Sequence, residues 1–293
     1  MTPTDLERTQ GADPGRDGGS ARDDRAAENL HNLRPRERHD AITERVITAG
    51  SMRIEELAEV FGVSTMTIHR DLDGLEARGV LRKSRGLVTA LATSLVESGT
   101  EYRAREHRAE KEALAAAAFS LVEPGQALIL DDSTTGLHLS RLLPERQPLT
   151  VITNFQQVID DLVGRPGIAL ISLGGQHYQW CDAYMGTITL EALKLLAADM
   201  LFMSTPAVID DVCFHQHHDA AQIKRAMFDA AGTRVLMLDH SKFEKRALHA
   251  HLPLTAFDVV IVDASTPSVH VDRLRDKGVT VMVAEPVKGS ATA

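Results

Sequence analysis

Hydroxyl, imidazole and guanidinium side chains crowd the stretch Ser64-Thr65-Met66-Thr67-Ile68-His69-Arg70, and basic side chains return at Arg82, Lys83 and Arg85. Short hydroxyls at the start of a helix, beside backbone N–H groups that lack partners, can hydrogen-bond phosphate oxygens. An arginine further along the same face can read a guanine edge with two parallel hydrogen bonds. Ser64, Thr65, Thr67, His69 and Arg70 are therefore candidates for meeting a duplex. Arg82, Lys83 and Arg85 are candidates for a salt-sensitive hold on its backbone. A merely solvated face is the competing reading of the first group, and the basic cluster straight after it weighs against that reading.

A second set of polar residues follows apolar runs further downstream. In Leu130-Asp131-Asp132-Ser133-Thr134-Thr135, hydroxyls and exposed N–H groups at a helix start would cradle a phosphate. Thr153-Asn154 and Gly174-Gly175 stand at two further run ends, and Lys224 and Lys242 could neutralise an anion or hold a carbonyl or hydroxyl. Simple helix capping by Thr134 and Thr135, a turn at Gly174-Gly175 and solvated lysines are the plainer alternatives. Cys213-Phe214-His215-Gln216-His217-His218-Asp219 holds metal-ligating residue types, but its spacing fits no usual structural zinc pattern. It is read as a polar loop lining a ligand pocket, with Trp180 and Tyr184 closing the other side. No metal site and no cofactor is assigned.

The elements that must position these residues follow from periodicity. From Arg36 the apolar positions Ile42, Val46, Ile47, then Ile54, Leu57, Ala58, Phe61, then Val63, Ile68, Leu72, Leu75 predict three short amphipathic helices. Gly62 suits the tight turn between the second and third, Ser64 an N-cap, and Gly79 the end of the third. Val80 to Val88 then reads as two short strands around a basic turn, a wing. After charged helical residues at 101–111, apolar strands are expected at 127–131, 149–153, 168–173, 200–204, 234–239, 257–263 and 279–284. Helices around 111–122, 134–143, 155–163, 187–197, 219–231 and 268–276 alternate with them. That alternation predicts an α/β domain with a mostly parallel sheet covered on both faces. The expected division is a disordered tail at 1–35, a winged helix-turn-helix at 36–93, a linker at 94–110 and the α/β domain at 111–293.

Charge and composition bound the remaining possibilities. Of 293 residues, 43% are hydrophobic and 25% charged, which fits a globular chain long enough for two cores. The net charge of -9 argues against nucleic acid only until it is divided: residues 1–35, 36–111 and 112–293 carry -2, 0 and -7, and Ser64 to Ala90 is locally basic. Cys181 and Cys213 alone cannot build a disulfide framework, so free thiols in a cytoplasmic setting are expected. No apolar run reaches membrane-spanning length and the polar N-terminus lacks the pattern of a signal peptide, so neither membrane insertion nor secretion is expected.

The run from Ile54 to Glu76, IEELAEVFGVSTMTIHRDLDGLE, resembles the signature of DeoR-type bacterial transcriptional regulators, with His69-Arg70 where two arginines usually precede the aspartate. The resemblance extends over roughly residues 36–265 and includes Leu130 to Thr135, Thr153-Asn154, Leu173-Gly174-Gly175, Lys224 to Met227 and Asp239 to Phe243; Ser133 stands where the family has glycine. It implies a C-terminal domain similar to ribose-5-phosphate isomerase that senses a phosphorylated sugar or polyol. Asp131, Ser133, Thr134, Thr135, Thr153, Asn154, Gly174, Gly175, Lys224 and Lys242 are then the expected effector residues. The partners it implies are a double-stranded operator and further copies of the chain in a dimer or tetramer. The function it implies is repression of a carbohydrate-catabolic operon. The alternative is an isomerase-like enzyme with an appended DNA-binding module, using Asp131, Asp132 and Lys242 for proton transfer.

Overall fold

The computed structural model describes residues 33–77, 81–90, 97 and 100–286. The expected tail up to residue 32, the helix end near Gly79 and the start of the expected linker fall outside these residues.

The first unit is built on α1 (Pro35–Ala49), β1 (Ser51–Arg53), α2 (Ile54–Phe61), α3 (Thr65–Ala77), β2 (Leu81–Ser84) and β3 (Leu87–Ala90). On α2 the buried residues are Ile54, Leu57, Ala58 and Phe61, the i, i+3, i+4, i+7 stripe that points one helical face inward. Gly62 closes α2 in the left-handed conformation, φ 59°, which lets the chain reverse into α3. Ser64 caps α3 by accepting a hydrogen bond from the Thr67 N–H at 3.2 Å. Ile68, Leu72 and Leu75 of α3 are buried against Ile42 and Val46 of α1 and the α2 stripe, forming one apolar cluster. The wing has three strands rather than two, in the order β1-β3-β2, because Ser51-Met52-Arg53 pairs antiparallel with Leu87-Val88-Thr89. A three-residue strand is too short to show alternation in sequence.

The second unit begins with α4 (Thr100–Arg105) and α5 (Arg108–Phe119), followed by β4 (Ala127–Leu130), α6 (Thr134–Ser140), β5 (Leu149–Thr153), α7 (Gln156–Leu162) and β6 (Ile168–Ser172). It continues through the hairpin β7 (Gln176–Tyr178) and β8 (Ala183–Met185), α8 (Thr187–Leu193), β9 (Ala198–Met203), β10 (Ala207–Ile209), β11 (Val212–His215), α9 (His218–Asp229), β12 (Ala231–Leu238), β13 (His249–Pro253), β14 (Val259–Asp263), α10 (Ser268–Asp276) and β15 (Thr280–Ala284). Seven strands form one parallel sheet in the order β15-β14-β12-β9-β4-β5-β6. Its central residues, among them Leu128, Ile129, Val151, Leu201, Phe202, Leu236 and Ile261, are buried. Near-continuous apolar strands with both faces covered are what a parallel sheet demands. Chain order runs outward from the centre in both directions, β4 to β6 on one side and β9 to β15 on the other. β4 and β9 therefore flank a topological switch point, where loops leaving the strand ends diverge and leave a crevice.

A smaller sheet, β10-β11-β13, stands apart from the large one. Its first turn is Asp210-Asp211, both residues at positive φ, 50° and 59°. An acidic pair between apolar pairs is a legitimate two-residue hairpin signal, and it is the one sign of this sheet in the sequence.

Candidate functional site

Two sites can be assembled, one on each unit. On the first, Ile68, Leu72 and Leu75 hold α3 inward and leave Ser64, Thr65, His69 and Arg70 exposed at its N-terminal half. Thr67 is half-buried, its hydroxyl 2.9 Å from that of Ser64. A further lock carries no mark in the sequence. Asp71, on the inner face of α3, accepts hydrogen bonds from Arg38 Nε at 2.6 Å and Nη2 at 3.1 Å, with His39 Nε2 at 3.1 Å from the same carboxylate. This fork ties α1 to the helix that carries Arg70 and fixes the angle at which it is presented.

The wing turn is Arg85-Gly86, with φ 50° and 80°, the paired positive values of a two-residue hairpin turn. Arg85 and Arg82 are exposed. Lys83 is not available in the way its sequence position suggests: its ammonium lies against the Asp73 carboxylate and 4.0 Å from Glu76, both on α3. Its charge is already compensated, and it braces wing against helix.

On the second unit a cavity opens at the switch point. Asp132, Ser133, Thr134 and Thr135 reach it from the end of β4, Ser204 and Thr205 from the end of β9, and Lys242 and Lys245 from the end of β12. Arg103 and His107 reach it from α4 and the turn that follows, and Lys111 from α5. His215 and Gln216, at the end of β11, form part of the wall, which places the histidine-rich tract at the pocket.

The floor is an ion cluster. Lys224 Nζ donates to Asp131 at 2.6 Å and to Asp132 at 3.0 Å, with all three side chains essentially inaccessible to solvent. Asp131 also accepts from the Ser204 N–H at 2.9 Å and the Ser133 N–H at 3.2 Å, so it stitches the ends of β4 and β9 together. Burial would raise the Asp132 carboxyl, but Lys224 and then Arg103 outweigh it and hold it down at about 2. Burial depresses Lys224 while the two carboxylates raise it, and the carboxylates win. Lys224 and Asp131 are thus consumed in building the floor, and Asp131 lies behind the cavity wall rather than on it.

Ser133 proves to be the N-cap of α6, its hydroxyl accepting from the Gly136 N–H at 3.0 Å. Thr134 and Thr135 remain on the cavity wall. Lys111 is buried, donates to the Arg103 carbonyl, and is pulled down to about 7 by burial and then by Lys242. Lys245 is lowered for the same two reasons. His215 is held well below its ordinary range by burial and then Lys224, so it is neutral; its Nδ1 accepts from the His217 N–H at 3.1 Å.

Four expected residues line no part of this cavity. Asn154 Nδ2 donates to the Tyr184 carbonyl at 2.9 Å and Thr153 Oγ1 accepts from the Phe155 N–H at 3.2 Å. The Gly174 carbonyl accepts from Thr189 at 2.7 Å, and a Cβ on Gly175, φ 145°, would sit 2.2 Å from Thr189 Oγ1. These four anchor the β7–β8 hairpin and α8, because β5 and β6 lie outward of β4, to one side of the crevice. Trp180 and Tyr184 go with them: Trp180 stacks on His217 at 4.0 Å between ring centroids, and Tyr184 donates to Gln156 at 2.7 Å. Arg103, His107, Lys111, Ser204, Thr205 and Lys245 are contributors that the sequence did not point to. Arg103, His107 and Lys111 precede β4 and lie far from the strand ends in sequence, and nothing local marks them.

A family model described as the DeoR C-terminal sensor domain matches residues 106–264, and one described as the DeoR-like helix-turn-helix domain matches residues 38–93. The chain belongs to the DeoR family. A protein of Escherichia coli O157:H7 named for repression of the aga operon is 30% identical over 84% of this chain and 93% of its own. The transcriptional repressor AccR of Agrobacterium fabrum is 26% identical over 74% and 85%, and an L-fucose operon activator of Haemophilus influenzae is 28% identical over 78% and 92%. A ribose-5-phosphate isomerase overlaps 45% of this chain and 52% of its own with a TM-score of 0.34 at 16% identity. This DeoR-family chain is a DNA-binding transcriptional regulator, not an enzyme, and the isomerase alternative is not favoured. The two aspartates that proton transfer would use are those already locked by Lys224. Among the described residues no helix is long and apolar enough to cross a membrane.

Proposed function

We propose that this regulator represses a carbohydrate-catabolic operon and that a phosphorylated sugar or polyol, bound in the cavity at the ends of β4 and β9, weakens its hold on the operator. One observation carries the reading: Arg103, Lys111, Lys242 and Lys245 converge with the Thr134 and Thr135 hydroxyls on a crevice whose acidic floor is already neutralised by Lys224, with Glu97 3.3 Å from Arg103, Asp239 3.4 Å from Lys242 and Glu106 also on the wall. Such a lining suits a ligand with a dianionic group and several hydroxyls. The names of two relatives, one for the aga operon and one for an L-fucose operon, support a sugar-related role.

In this reading residues 36–93 bind DNA and residues 111–293 sense the effector, joined through 94–110. Arg70, with His69 and Thr65 beside it, enters the major groove; Arg82 and Arg85 hold the flanking backbone; Ser64 and Thr67 secure the helix start. Two copies present two such helices about 34 Å apart, one turn of the duplex. The effector acts by preferring an arrangement of the dimer or tetramer in which that spacing is wrong. Gel shifts with DNA from the chain's own promoter region, at two salt concentrations and with phosphorylated and unphosphorylated sugars, test this. Release by a phosphorylated compound alone is expected; release by free sugars, or by none of the compounds, overturns the effector reading.

A further inference from the structure

Three residues, two of them three apart at the start of α5 and the third 130 positions further on, meet beside the cavity. His107, Glu110 and His240 each offer a ligand atom, and these atoms lie within 4.8 Å of one another. We propose that His107, Glu110 and His240 form a site for a divalent transition-metal ion, with Zn²⁺ the best match to two imidazoles and one carboxylate. The proposal stands apart from the effector reading and does not depend on it.

The local construction supports a ligand set rather than a chance meeting. His240 is held through both its peptide and its ring: its N–H donates to Asp263 Oδ1 at 2.7 Å, and its Nδ1 lies 2.9 Å from Asp263 Oδ2. Asp263 is itself buried and fixed by Thr266 Oγ1 at 2.8 Å and the Ser265 N–H at 3.3 Å. A carboxylate on one ring nitrogen sets the tautomer and leaves Nε2 as a lone-pair donor, the arrangement that metal-binding histidines use. His107 precedes α5 with φ 52° and ψ 41°, a left-handed conformation that is unfavourable for most residues with a Cβ. That backbone places its ring edge-on to His240, 5.1 Å between centroids, while Glu110 follows in the first turn of α5. Unfavourable backbone of this kind collects where a side chain has to be aimed.

Geometry also agrees, and Glu110 supplies one carboxylate towards an added dication. Ligand atoms of tetrahedral zinc stand about 3.4 Å apart, as bond lengths near 2.1 Å require, so modest side-chain rotation closes the set. Three protein ligands leave the fourth position open, and His107 also lines the effector cavity. A bound ion would clamp the start of α5 to the loop that carries Lys242.

The test uses the full chain, stripped with chelator and titrated with Zn²⁺ alone against a chromophoric competitor, without DNA or sugar phosphate. One equivalent per chain is expected. A Glu110→Gln/His240→Gln variant should bind more than about 100-fold more weakly, and Asp263→Asn about 10–100-fold more weakly. His217→Gln/His218→Gln, in the histidine-rich tract, should bind as the parent does. Trp180 fluorescence of the metal-free variants checks folding, and His107→Asn, which tolerates left-handed backbone, serves if the double variant is unstable. Absence of stoichiometric binding, undiminished affinity in the ligand variants, or loss only in the His217/His218 variant would overturn the site.

Discussion

Replacing Lys224 by methionine keeps most of the side-chain volume and deletes the one cation between two buried carboxylates. The substitution removes the hydrogen bonds of 2.6 Å to Asp131 and 3.0 Å to Asp132, at a position 3% exposed. Removing one partner of a buried ion cluster costs about 3–5 kcal/mol, because the charges left behind remain desolvated. Against a typical domain stability of about 5–15 kcal/mol, that loss is large but leaves protein to measure.

The pH dependence gives a sharper test than the magnitude. In the parent the Asp132 carboxyl is lowered from 3.8 to about 2, so the folded state binds fewer protons than the unfolded state between those values. At 1.36 kcal/mol per unit this contributes about 2 kcal/mol, fully present above pH 4 and lost as pH falls towards 2. In Lys224→Met the buried carboxyls lose the charge that lowered them, and burial raises at least one above its unfolded value. The folded state then binds more protons than the unfolded state, and stability falls as pH rises above 4. Urea unfolding followed by Trp180, the single tryptophan, reads the sensor domain at pH 4, 5.5 and 7. Adding Asp132→Asn to Lys224→Met should recover part of the loss and flatten the slope. A loss under about 1 kcal/mol, or a stability of Lys224→Met that does not fall between pH 4 and pH 7, would refute the view that Lys224 neutralises the cavity floor.

Other outcomes follow from the same structure. Arg70→Ala, exposed on α3, should abolish operator-specific binding and leave unfolding unchanged; operator affinity equal to the parent's in a gel shift would contradict the assignment. Arg85→Ala should reduce the salt slope of DNA binding by about 1, whereas Lys83→Ala should barely change it, because Asp73 already neutralises that lysine. Since Lys111 is held at about 7, affinity for a phosphorylated effector should fall, by up to about tenfold per unit, as pH rises from 7 to 9, where the phosphate itself stays dianionic. Calorimetry on Lys111→Met should give a flatter profile, and an unchanged slope would remove Lys111 from the ligand site.

The amino-acid sequence determined what is local. The apolar stripe of α2, the left-handed Gly62, the Ser64 cap and the outward Arg70 follow from neighbours within two helical turns, and all were legible. So were the seven strands of the parallel sheet, because the inner strands, buried on both faces, need continuous apolar runs, and the part-exposed edge strands β6 and β15 still carry mostly apolar residues. Tertiary structure decided which strand ends share a crevice. Thr153-Asn154 and Gly174-Gly175 have the look of ligand loops, yet strand order sends them away from the switch point and turns them into hairpin anchors. The same order draws Arg103 and Lys111 to the end of β4 and sets His107 against His240. Electrostatic partners such as Arg38 with Asp71, or Lys224 with Asp131, lie 33 and 93 positions apart. Charge acts through space while periodicity acts along the chain, so the second can be read from one sequence and the first only from the fold.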